Sequence, residues 1–378
     1  MGIVLSCVML SCTPAMPPLP ATPRAEQSRL RVAILAPLSG ELATYGRTVR
    51  QAAELAFDEW NARHSNGIFI ESVAEDTPCD AMHARQVAER IVAAGVHFVV
   101  GGICSEAAIP IASVADKSGV LFIATSATHP LVTVDAHGNP RPLVFRTAFT
   151  HAQQGRAVSR FIWQTLRLHR VAVVHHAERP FAREAAAAFI ESFTHPGGYV
   201  LSITADRGQQ PDFMELLDAQ MMSDIQAVYV PDAYAAILRV HDALRQKGIK
   251  RPVLGSDWWS IHDVRSAVGE DVYLVAHYSV HVTHPTAQRW AARYRAAFAV
   301  EPDTLAALAY DAATLLTQGI EQSTDTSPEA VASTLRAMEY EGVTGRWRFD
   351  AQHNPSKQAF FLRVQDGTLQ LVGRADVE

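Results

Sequence analysis

The sequence is poor in charge and has no long basic run, which excludes several classes of protein. Charged residues make up 19% of the 378 residues, and the formal net charge is -6. A mildly acidic chain without a Lys- or Arg-rich stretch lacks the electrostatic footprint of a protein that binds nucleic acid or anionic lipid. Hydrophobic residues reach 48%, which is typical of a globular chain, and the length favours two domains.

Signatures of catalysis are missing too: the sequence has no G-x-S-x-G elbow, no Walker loop and no H-E-x-x-H helix. We therefore predict a protein that is not an enzyme and uses no cofactor. His277, His281 and His284 would share one face of a helix, as a metal site needs, but residues 272–282 are rich in β-branched and aromatic residues and predict a strand. Alternate residues of a strand point to opposite faces, so His277 and His281 would share a face but His284 would not. We therefore interpret all three as surface or hinge histidines and predict no metal site.

The N-terminus has no apolar run long enough to span a membrane. Its first twelve residues are apolar or small, whereas a spanning helix needs roughly 20 such residues. They are typical of the core of an export signal, and the Pro-rich stretch up to residue 30 is typical of a spacer. Cys12 is the candidate lipidation site and Cys7 a weaker one, with a disordered, unlipidated N-terminus as the alternative. We expect a periplasmic protein, or one anchored on the extracytoplasmic side of the membrane.

Cysteine is scarce, with four residues in the whole chain. Two of them lie in the presumed signal, so only Cys79 and Cys104 belong to the folded part. A pair of cysteines in an exported chain favours one disulfide, which would stabilise the fold by about 3–4 kcal/mol. The alternative is two free buried thiols.

Short apolar strands alternate with amphipathic helices after the spacer. Residues 31–36 form an apolar run, and a helical stripe follows it, made of Val49, Ala52, Ala53, Ala56 and Trp60. The alternation continues to Ile123 and restarts at His151. This βαβα pattern predicts an α/β fold of parallel sheets with helices on both faces, and its restart near residues 144–147 predicts two similar lobes.

Ligands of open parallel sheets bind outside the carboxyl ends of the strands, so we look there for the site. Ser105 lies where a strand ends and a helix begins, and its hydroxyl and the free N–H groups of that first turn suit a carboxylate. Thr128 ends the loop after the next strand and can supply a second hydroxyl, beside Ser126 and Ala127. The alternative is that Ser105 only caps its helix and Thr128 only fixes a turn.

Asp257 follows an apolar strand of the second lobe and is expected to face the cleft from the opposite side. A carboxylate there suits a ligand ammonium, because a desolvated charge needs a partner of opposite sign. Hydroxyls on one wall and a carboxylate on the other predict a site for a zwitterion. The alternative is a solvated loop Asp or a helix cap.

Several short segments, taken in order, carry a resemblance to a known family: Cys79, Gly101–Ser105, Ala127–Pro130, Gly255–Asp257, Gly342–Gly345 and Phe349–Asp350. The chain from about Arg31 to Val364 resembles the leucine/isoleucine/valine-binding proteins. The resemblance implies a periplasmic binding protein of type I, with two Rossmann-like lobes joined by three crossovers near residues 147, 278 and 344. It also implies a Cys79–Cys104 disulfide, carboxylate binding by Ser105 and Thr128, and amine binding by Asp257.

Aromatic residues complete the site that the resemblance implies. Tyr45 matches a family aromatic that covers the ligand side chain, Phe181 falls near a family tyrosine, and Tyr234 lies close to another. Trp258 and Trp259 depart from the small residues found there in leucine-binding members. They would shrink the pocket, stack on an aromatic ligand or simply belong to the core, so the resemblance does not fix the ligand.

The resulting prediction is a monomeric extracytoplasmic solute-binding protein that serves an ABC permease in the inner membrane. Lobe 1 would comprise residues 31–147 plus 278–343, and lobe 2 residues 148–277 plus 344–378. A branched-chain or related amino acid would rest on lobe 1, and hinge closure would then bring Asp257 and Phe181 across it. The alternatives are a binding or sensor protein for an amide, a urea-like solute or an aromatic acid, or a lipoprotein that contacts another protein and binds no ligand.

Overall fold

The first run of apolar segments builds a parallel sheet. The computed structural model describes residues 28–64, 67–205, 213–218, 220–257 and 270–378. Five strands come first: β1 (Arg29–Ala36), β2 (Phe69–Asp76), β3 (Phe98–Gly101), β4 (Leu121–Ala124) and β5 (Val144–Arg146). They pair in parallel in the order β2-β1-β3-β4-β5.

Helices cover both faces of this first sheet because alternate side chains of a strand point to opposite faces. The helices are α1 (Ala43–Arg63), α2 (Ala81–Ala93) and α3 (Ser105–Lys117). Val32 and Ile34 of β1 pack in one buried cluster with α1, whereas Ala33 and Leu35 pack in another with α2 and α3. The stripe from Val49 to Trp60 is buried, as the helical spacing predicts.

The second run builds the centre of another sheet. Its elements are α4 (His151–Arg160), which continues as a π-helical segment over Phe161–Leu166, then β6 (Arg170–His176), α5 (Pro180–Thr194), β7 (Tyr199–Ala205), α6 (Phe213–Leu216), β8 (Ala227–Val230), α7 (Tyr234–Gln246), β9 (Val253–Gly255) and β10 (Val272–Ala276). The strands are parallel in the order β10-β9-β8-β6-β7. The strand expected to reach Val282 ends at Ala276.

The C-terminal part adds helices to the first sheet and two strands to the second. It comprises α8 (Pro285–Phe298), α9 (Thr304–Gln322), α10 (Pro328–Ala337), β11 (Tyr340–Gly342), β12 (Gly345–Phe349), β13 (Pro355–Ser356), β14 (Gln358–Gln365) and β15 (Thr368–Asp376). Helix α9 packs on α1. Strands β11, β12 and β13 form a small antiparallel sheet, while β14 pairs antiparallel with β10 and β15 with β14.

These elements confirm the prediction of an α/β fold with parallel sheets. The chain leaves the first sheet after Arg146, leaves the parallel strands of the second after Ala276, and enters that sheet again at Gln358. The exact limits of the two lobes remain a prediction. Residues 1–27, with Cys7 and Cys12, lie outside the described residues.

A buried network of hydrogen bonds ties together the chain segments that pass between the sheets. Lys357 is 3% exposed, and its Nζ donates to the carbonyl of Thr147 at 2.7 Å. It also lies 3.4 Å from Oγ1 of Thr344, whose hydroxyl and N–H donate to the buried carboxylate of Asp311. Buried polar groups need hydrogen-bond partners. Asp311 lies on α9, so the network joins this helix to the chain segments near residues 147 and 344.

The disulfide between Cys79 and Cys104 is present, with 5.6 Å between the two Cα atoms. This distance is ordinary for a disulfide. Cys79 follows β2, and Cys104 is the residue immediately before α3. The bond therefore ties the start of α3, next to Ser105, to the segment that follows β2.

Candidate functional site

Two glycines set the turn that places the start of α3 at the edge of the first sheet. Gly101 and Gly102 adopt φ angles of +143° and +75°, which side chains rarely tolerate. A Cβ on Gly101 would lie 2.1 Å from the carbonyl oxygen of Leu35. The chain at Gly101 therefore lies close to β1. Ser105, the first residue of α3, consequently lies at the carboxyl end of the sheet.

Hydroxyl groups from two successive loops meet at this edge. The Oγ of Ser105 accepts the N–H of His129 at 3.3 Å, and Ser126 donates to the carbonyl of Ile103 at 3.3 Å. These bonds join the loop after β4 to the turn that precedes α3. The carbonyl of Ala127 accepts a hydrogen bond from the buried guanidinium of Arg146 at 3.1 Å. Three of the predicted residues therefore belong to one connected wall.

Thr128 completes this wall and contacts the first residue of α4. Its side chain is buried, and its Oγ1 lies 2.8 Å from Nε2 of His151. Burial lowers the pKa of His151 to about 4, so the ring is neutral at physiological pH. A neutral imidazole beside a hydroxyl forms a polar surface without net charge.

Asp257 forms the opposite wall, directly after β9 at the edge of the second sheet. It is 9% exposed, and its Oδ1 accepts from Nε2 of Gln154 at 2.7 Å while its Oδ2 lies 3.2 Å from Nε2 of His277. Burial raises the pKa of Asp257, but the hydrogen bonds from His277 and Gln154 and the neighbouring His151 outweigh it and lower the pKa overall. The carboxylate is therefore ionised despite its burial.

His277 lies just beyond β10 and is 1% exposed, so it is not a surface histidine. Its ring stacks on Phe149 with 3.7 Å between the ring centroids. Burial lowers the pKa of His277 to about 4, which leaves the ring neutral at physiological pH. His284 lies elsewhere, 3.2 Å from Glu341. Within the described part of the chain, no group of three or more His, Cys, Asp or Glu side chains is arranged to hold a metal ion.

Two adjoining cavities lie between the walls. A small one, of about 30 Å³, is lined by Ser126, Thr128, Asp257, His277, Thr304 and three apolar side chains. Its volume suits one water-sized group, such as an ammonium. A larger one, of about 300 Å³, shares Ile103, Ser126 and Thr128 with the first and extends past Ser105, Glu106, His129, His151, Arg179, Pro180, Phe181 and Ala233. The structure thus brings Ser105, Ser126, Thr128, Asp257 and Phe181 together.

The remaining aromatic predictions have different outcomes. Tyr45 lies on α1, partly buried against the core, and lines neither of these two cavities. Phe181, in the first turn of α5, has its ring centroid 5.5 Å from that of His151. Tyr234 begins α7, but its side chain lies outside what the structure describes, as do Trp258 and Trp259.

Arg179 is a cavity residue that the sequence did not reveal. Its Nη1 donates to Oδ1 of Asp232 at 2.8 Å. Asp232 is fully buried and also accepts from the backbone and ring of His176 at 3.0 Å and 2.6 Å. The guanidinium is therefore held in place at the mouth of the larger cavity. Gln154, His151 and His277 were also missed as site residues, because each approaches the site from an element distant in sequence.

The fold is that of solute-binding proteins of ABC transporters. A sequence model of the periplasmic binding protein family matches residues 29–368, so the chain belongs to that family. The chain is 28% identical over 330 residues to the leucine-, isoleucine-, valine-, threonine- and alanine-binding protein of Pseudomonas aeruginosa, a match that covers 85% of this chain and 86% of the relative.

Solved structures agree with this assignment. The branched-chain amino acid transporter substrate-binding protein LivJ of Streptococcus pneumoniae, in complex with isoleucine, matches with a TM-score of 0.74 at 26% identity, over 92% of this chain and 99% of that one. A solute-binding protein of R. palustris in complex with benzoate also shares the fold, with a TM-score of 0.74 at 22% identity, over 92% and 97% of the two chains.

The family assignment confirms the prediction that the chain is a binding protein of the ABC-transporter type and not an enzyme. A relative from Citrobacter freundii, 24% identical over 326 residues (85% of this chain and 87% of the relative), is likewise named a Leu/Ile/Val-binding protein. Among the described residues, every helix is too short or too polar to cross a membrane.

Proposed function

We propose that this protein is an extracytoplasmic solute-binding protein that captures an amino acid zwitterion between its two lobes. One observation carries the proposal: the hydroxyl wall at Ser126 and Thr128 and the ionised carboxylate of Asp257 line the same small cavity. Relatives that bind branched-chain amino acids, threonine and alanine support the same class of ligand.

The carboxylate of the ligand would bind at the start of α3. The first turn of an α-helix leaves its N–H groups without intrahelical partners, and the helix dipole favours a negative charge there. Ser105 and Thr128 add hydroxyl groups beside that turn. The neutral ring of His151 and the side chain of Phe181 line the larger cavity, which has space for the rest of the ligand.

The amine of the ligand would bind at Asp257. Gln154 and His277 each contact one oxygen of this carboxylate, and a desolvated carboxylate attracts a cationic N–H donor. A buried ionised carboxylate also repels a second anion, since like charges in a desolvated site are strongly unfavourable. An amino acid therefore fits this wall better than a benzoate, although a structural neighbour binds benzoate.

Hinge closure is the mechanism that we propose. Lobe 1 (residues 31–147 plus 278–343) would hold the ligand first, and lobe 2 (residues 148–277 plus 344–378) would then bring Asp257 and Phe181 over it. A ligand that contacts both walls stabilises the closed form, because it binds that form more tightly. The partner that reads closure would be an ABC permease, the protein would act as a monomer, and Cys12 is the proposed lipid anchor.

The test is thermal unfolding of the purified mature domain with the twenty amino acids, their deaminated acids, small amides and aromatic acids. A ligand at 100 times its Kd stabilises the folded state by about 2.7 kcal/mol. We expect the melting temperature to rise with a subset of amino acids, and the isosteric variant Asp257→Asn to abolish that rise.

The control variant is Asp242→Asn, which makes the same substitution at an exposed carboxylate on α7 that lines neither cavity. A rise with deaminated acids or amides alone would contradict the zwitterion. No rise with any compound, using protein refolded to remove bound solute, would favour a lipoprotein that contacts another protein.

A further inference from the structure

A guanidinium group with a fixed position lines the larger cavity on the side of the second sheet. Arg179 is the residue immediately before α5, and its Nη1 donates to Oδ1 of Asp232 at 2.8 Å. Asp232 is fully buried and accepts three further N–H groups, from the backbone and ring of His176 and from the backbone of Ala233. A carboxylate held by this many donors has one orientation, so it fixes the end of the Arg179 side chain.

Asp232 uses only part of the hydrogen-bonding capacity of this guanidinium. An arginine side chain is a planar fork of N–H donors and has no acceptor. The side chain of Arg179 is 38% exposed, and among the described residues Asp232 is the only group that accepts a hydrogen bond from its guanidinium. Because Asp232 also balances the charge of Arg179, a ligand group that binds here must be a hydrogen-bond acceptor but need not be an anion.

The larger cavity connects Arg179 with the walls to which the charged groups of the ligand are assigned. Ser105 and Thr128 line it on one side, and it adjoins the small cavity that Asp257 lines. Its volume of about 300 Å³ lies at the lower end of the range for small-molecule sites, roughly 300–1,000 Å³. A ligand bound to both walls therefore has the remainder of this cavity, where Arg179 and Phe181 lie, for its side chain.

A purely aliphatic side chain would match this part of the cavity poorly. It would displace water from the guanidinium without replacing the hydrogen bonds, and an unmade hydrogen bond of a desolvated polar group costs free energy. A site that hydrogen-bonds one group of its ligand discriminates against analogues that lack this group. Ile103, Pro180 and Phe181 supply apolar surface for methylene groups, while the donors of Arg179 suit an acceptor beyond them.

We propose that Arg179 determines the specificity of the site and selects an amino acid whose side chain ends in an oxygen acceptor, an amide or a carboxylate. Asp232 is the positioning residue that holds Arg179. The inference rests on the proposed amino-acid site and narrows the class of ligand that it takes. The carboxylate of Glu106, on the first turn of α3, also lines the cavity and disfavours a second anion, so an amide is the better match.

The experiment measures Kd for L-glutamine, L-glutamate and L-leucine by calorimetry, with protein refolded to remove bound solute. We expect wild type to bind glutamine about tenfold or more tightly than leucine. Arg179→Met removes the donors and keeps an unbranched side chain. It should weaken glutamine binding roughly tenfold or more and leave leucine within about threefold of wild type, because an aliphatic side chain does not use the donors.

Arg183→Met is the matched control, because Arg183 is exposed one turn further along α5 and lines neither cavity. It should keep the wild-type ratio of the leucine and glutamine constants. Asp232→Asn tests the positioning role, with melting temperature recorded to confirm folding. It leaves the charge of Arg179 unbalanced, so the affinity for glutamate should rise relative to that for glutamine. An unchanged ratio of these two constants would contradict the role of Asp232.

The ratio of the leucine and glutamine constants decides the outcome. An equal ratio in wild type and Arg179→Met would overturn the inference, while loss of leucine binding in Asp257→Asn would still uphold the proposed function. A wild type that prefers glutamate to glutamine would identify the acceptor as a carboxylate and support the role of Arg179. A wild type that binds no amino acid would contradict both the inference and the proposed function.

Discussion

At the scale of single residues, the buried histidines His151 and His277 make the stability of the protein depend on pH. Burial lowers the pKa of His151 and of His277 to about 4, whereas an unfolded histidine titrates near 6.5. Between these two values the unfolded chain binds more protons than the folded one. The free energy of unfolding therefore rises with pH across this window, and it is lost as the pH falls from about 6.5 to about 4.

We expect urea unfolding at pH 4.5 to show a free energy of unfolding lower than at pH 7 by a few kcal/mol. In His277→Gln the difference should shrink, since one of the two titrating rings is gone. His281→Gln is the control, because the side chain of His281 is exposed and the change should leave the difference intact. An equal decline in wild type and His277→Gln would show that His277 does not titrate in this window.

Residues of the site differ in how far sequence reveals them. Ser105, Thr128 and Asp257 follow strands of parallel sheets, where ligand sites are expected, and the structure brings them to the same cleft. Gln154 and His277 could not be placed beside Asp257, because those contacts span 103 and 20 residues and depend on how α4 and β10 pack. The burial of Arg146 and Lys357 could not be predicted either, because arginine and lysine are rarely buried in proteins.

At the scale of elements, helices α4 and α5 approach one another closely because of a single glycine. A Cβ on Gly155 of α4 would lie 2.2 Å from the carbonyl oxygen of Ala185 on α5. The first turn of α4 also carries His151 and Gln154, and the start of α5 carries Phe181. Contact between the two helices therefore positions His151 and Phe181, which line the larger cavity, and Gln154, which donates to Asp257.

Gly155→Ala should destabilise the protein by about 1–3 kcal/mol, because the added methyl must push backbone apart. It should also weaken ligand binding as Gln154 and Phe181 move. Gly197→Ala is the comparison: nothing lies near its Cβ, and any effect there comes from its φ of +101°. Equal melting temperatures for wild type and Gly155→Ala would contradict the close packing.

Most elements could be predicted from the alternation of apolar runs and amphipathic stretches, but their ends could not, and α10, β11, β13 and β15 were not predicted. The interpretation of residues 272–282 as one strand is wrong beyond Ala276, because the following segment turns away from the sheet toward α8. Strand β15 was not predicted, although Asp366 and Gly367, both with positive φ, form the two-residue turn that an Asp-Gly pair favours in hairpins.

At the scale of the whole molecule, Lys357, Thr344 and Asp311 form a buried polar network inside the region that links the two sheets. Burial lowers the pKa of Lys357 to about 7, and Asp311 only partly opposes this. An unfolded lysine titrates near 10.4. Between about 7 and 10 the unfolded chain binds more protons, so Lys357 makes the free energy of unfolding rise with pH in that window.

Lys357→Met should remove this rise, so that the free energy of unfolding changes less between pH 7 and pH 9.5 than in wild type. Chemical denaturation at several pH values measures the slope directly. Lys247→Met, at a partly exposed position after α7, should leave the slope unchanged. A steep rise that persists in Lys357→Met would assign the effect to another group.

The position of the Cys79–Cys104 bond has a consequence for where the protein can work. The bond ends at the residue that precedes Ser105, so it braces the helix start to which the ligand carboxylate is assigned. In a reducing compartment such as the cytosol this brace is absent, and the first turn of α3 is free to fray. A chain exported as proposed would thus acquire its full affinity only after oxidation outside the cytosol, and newly made copies would not sequester amino acids inside the cell.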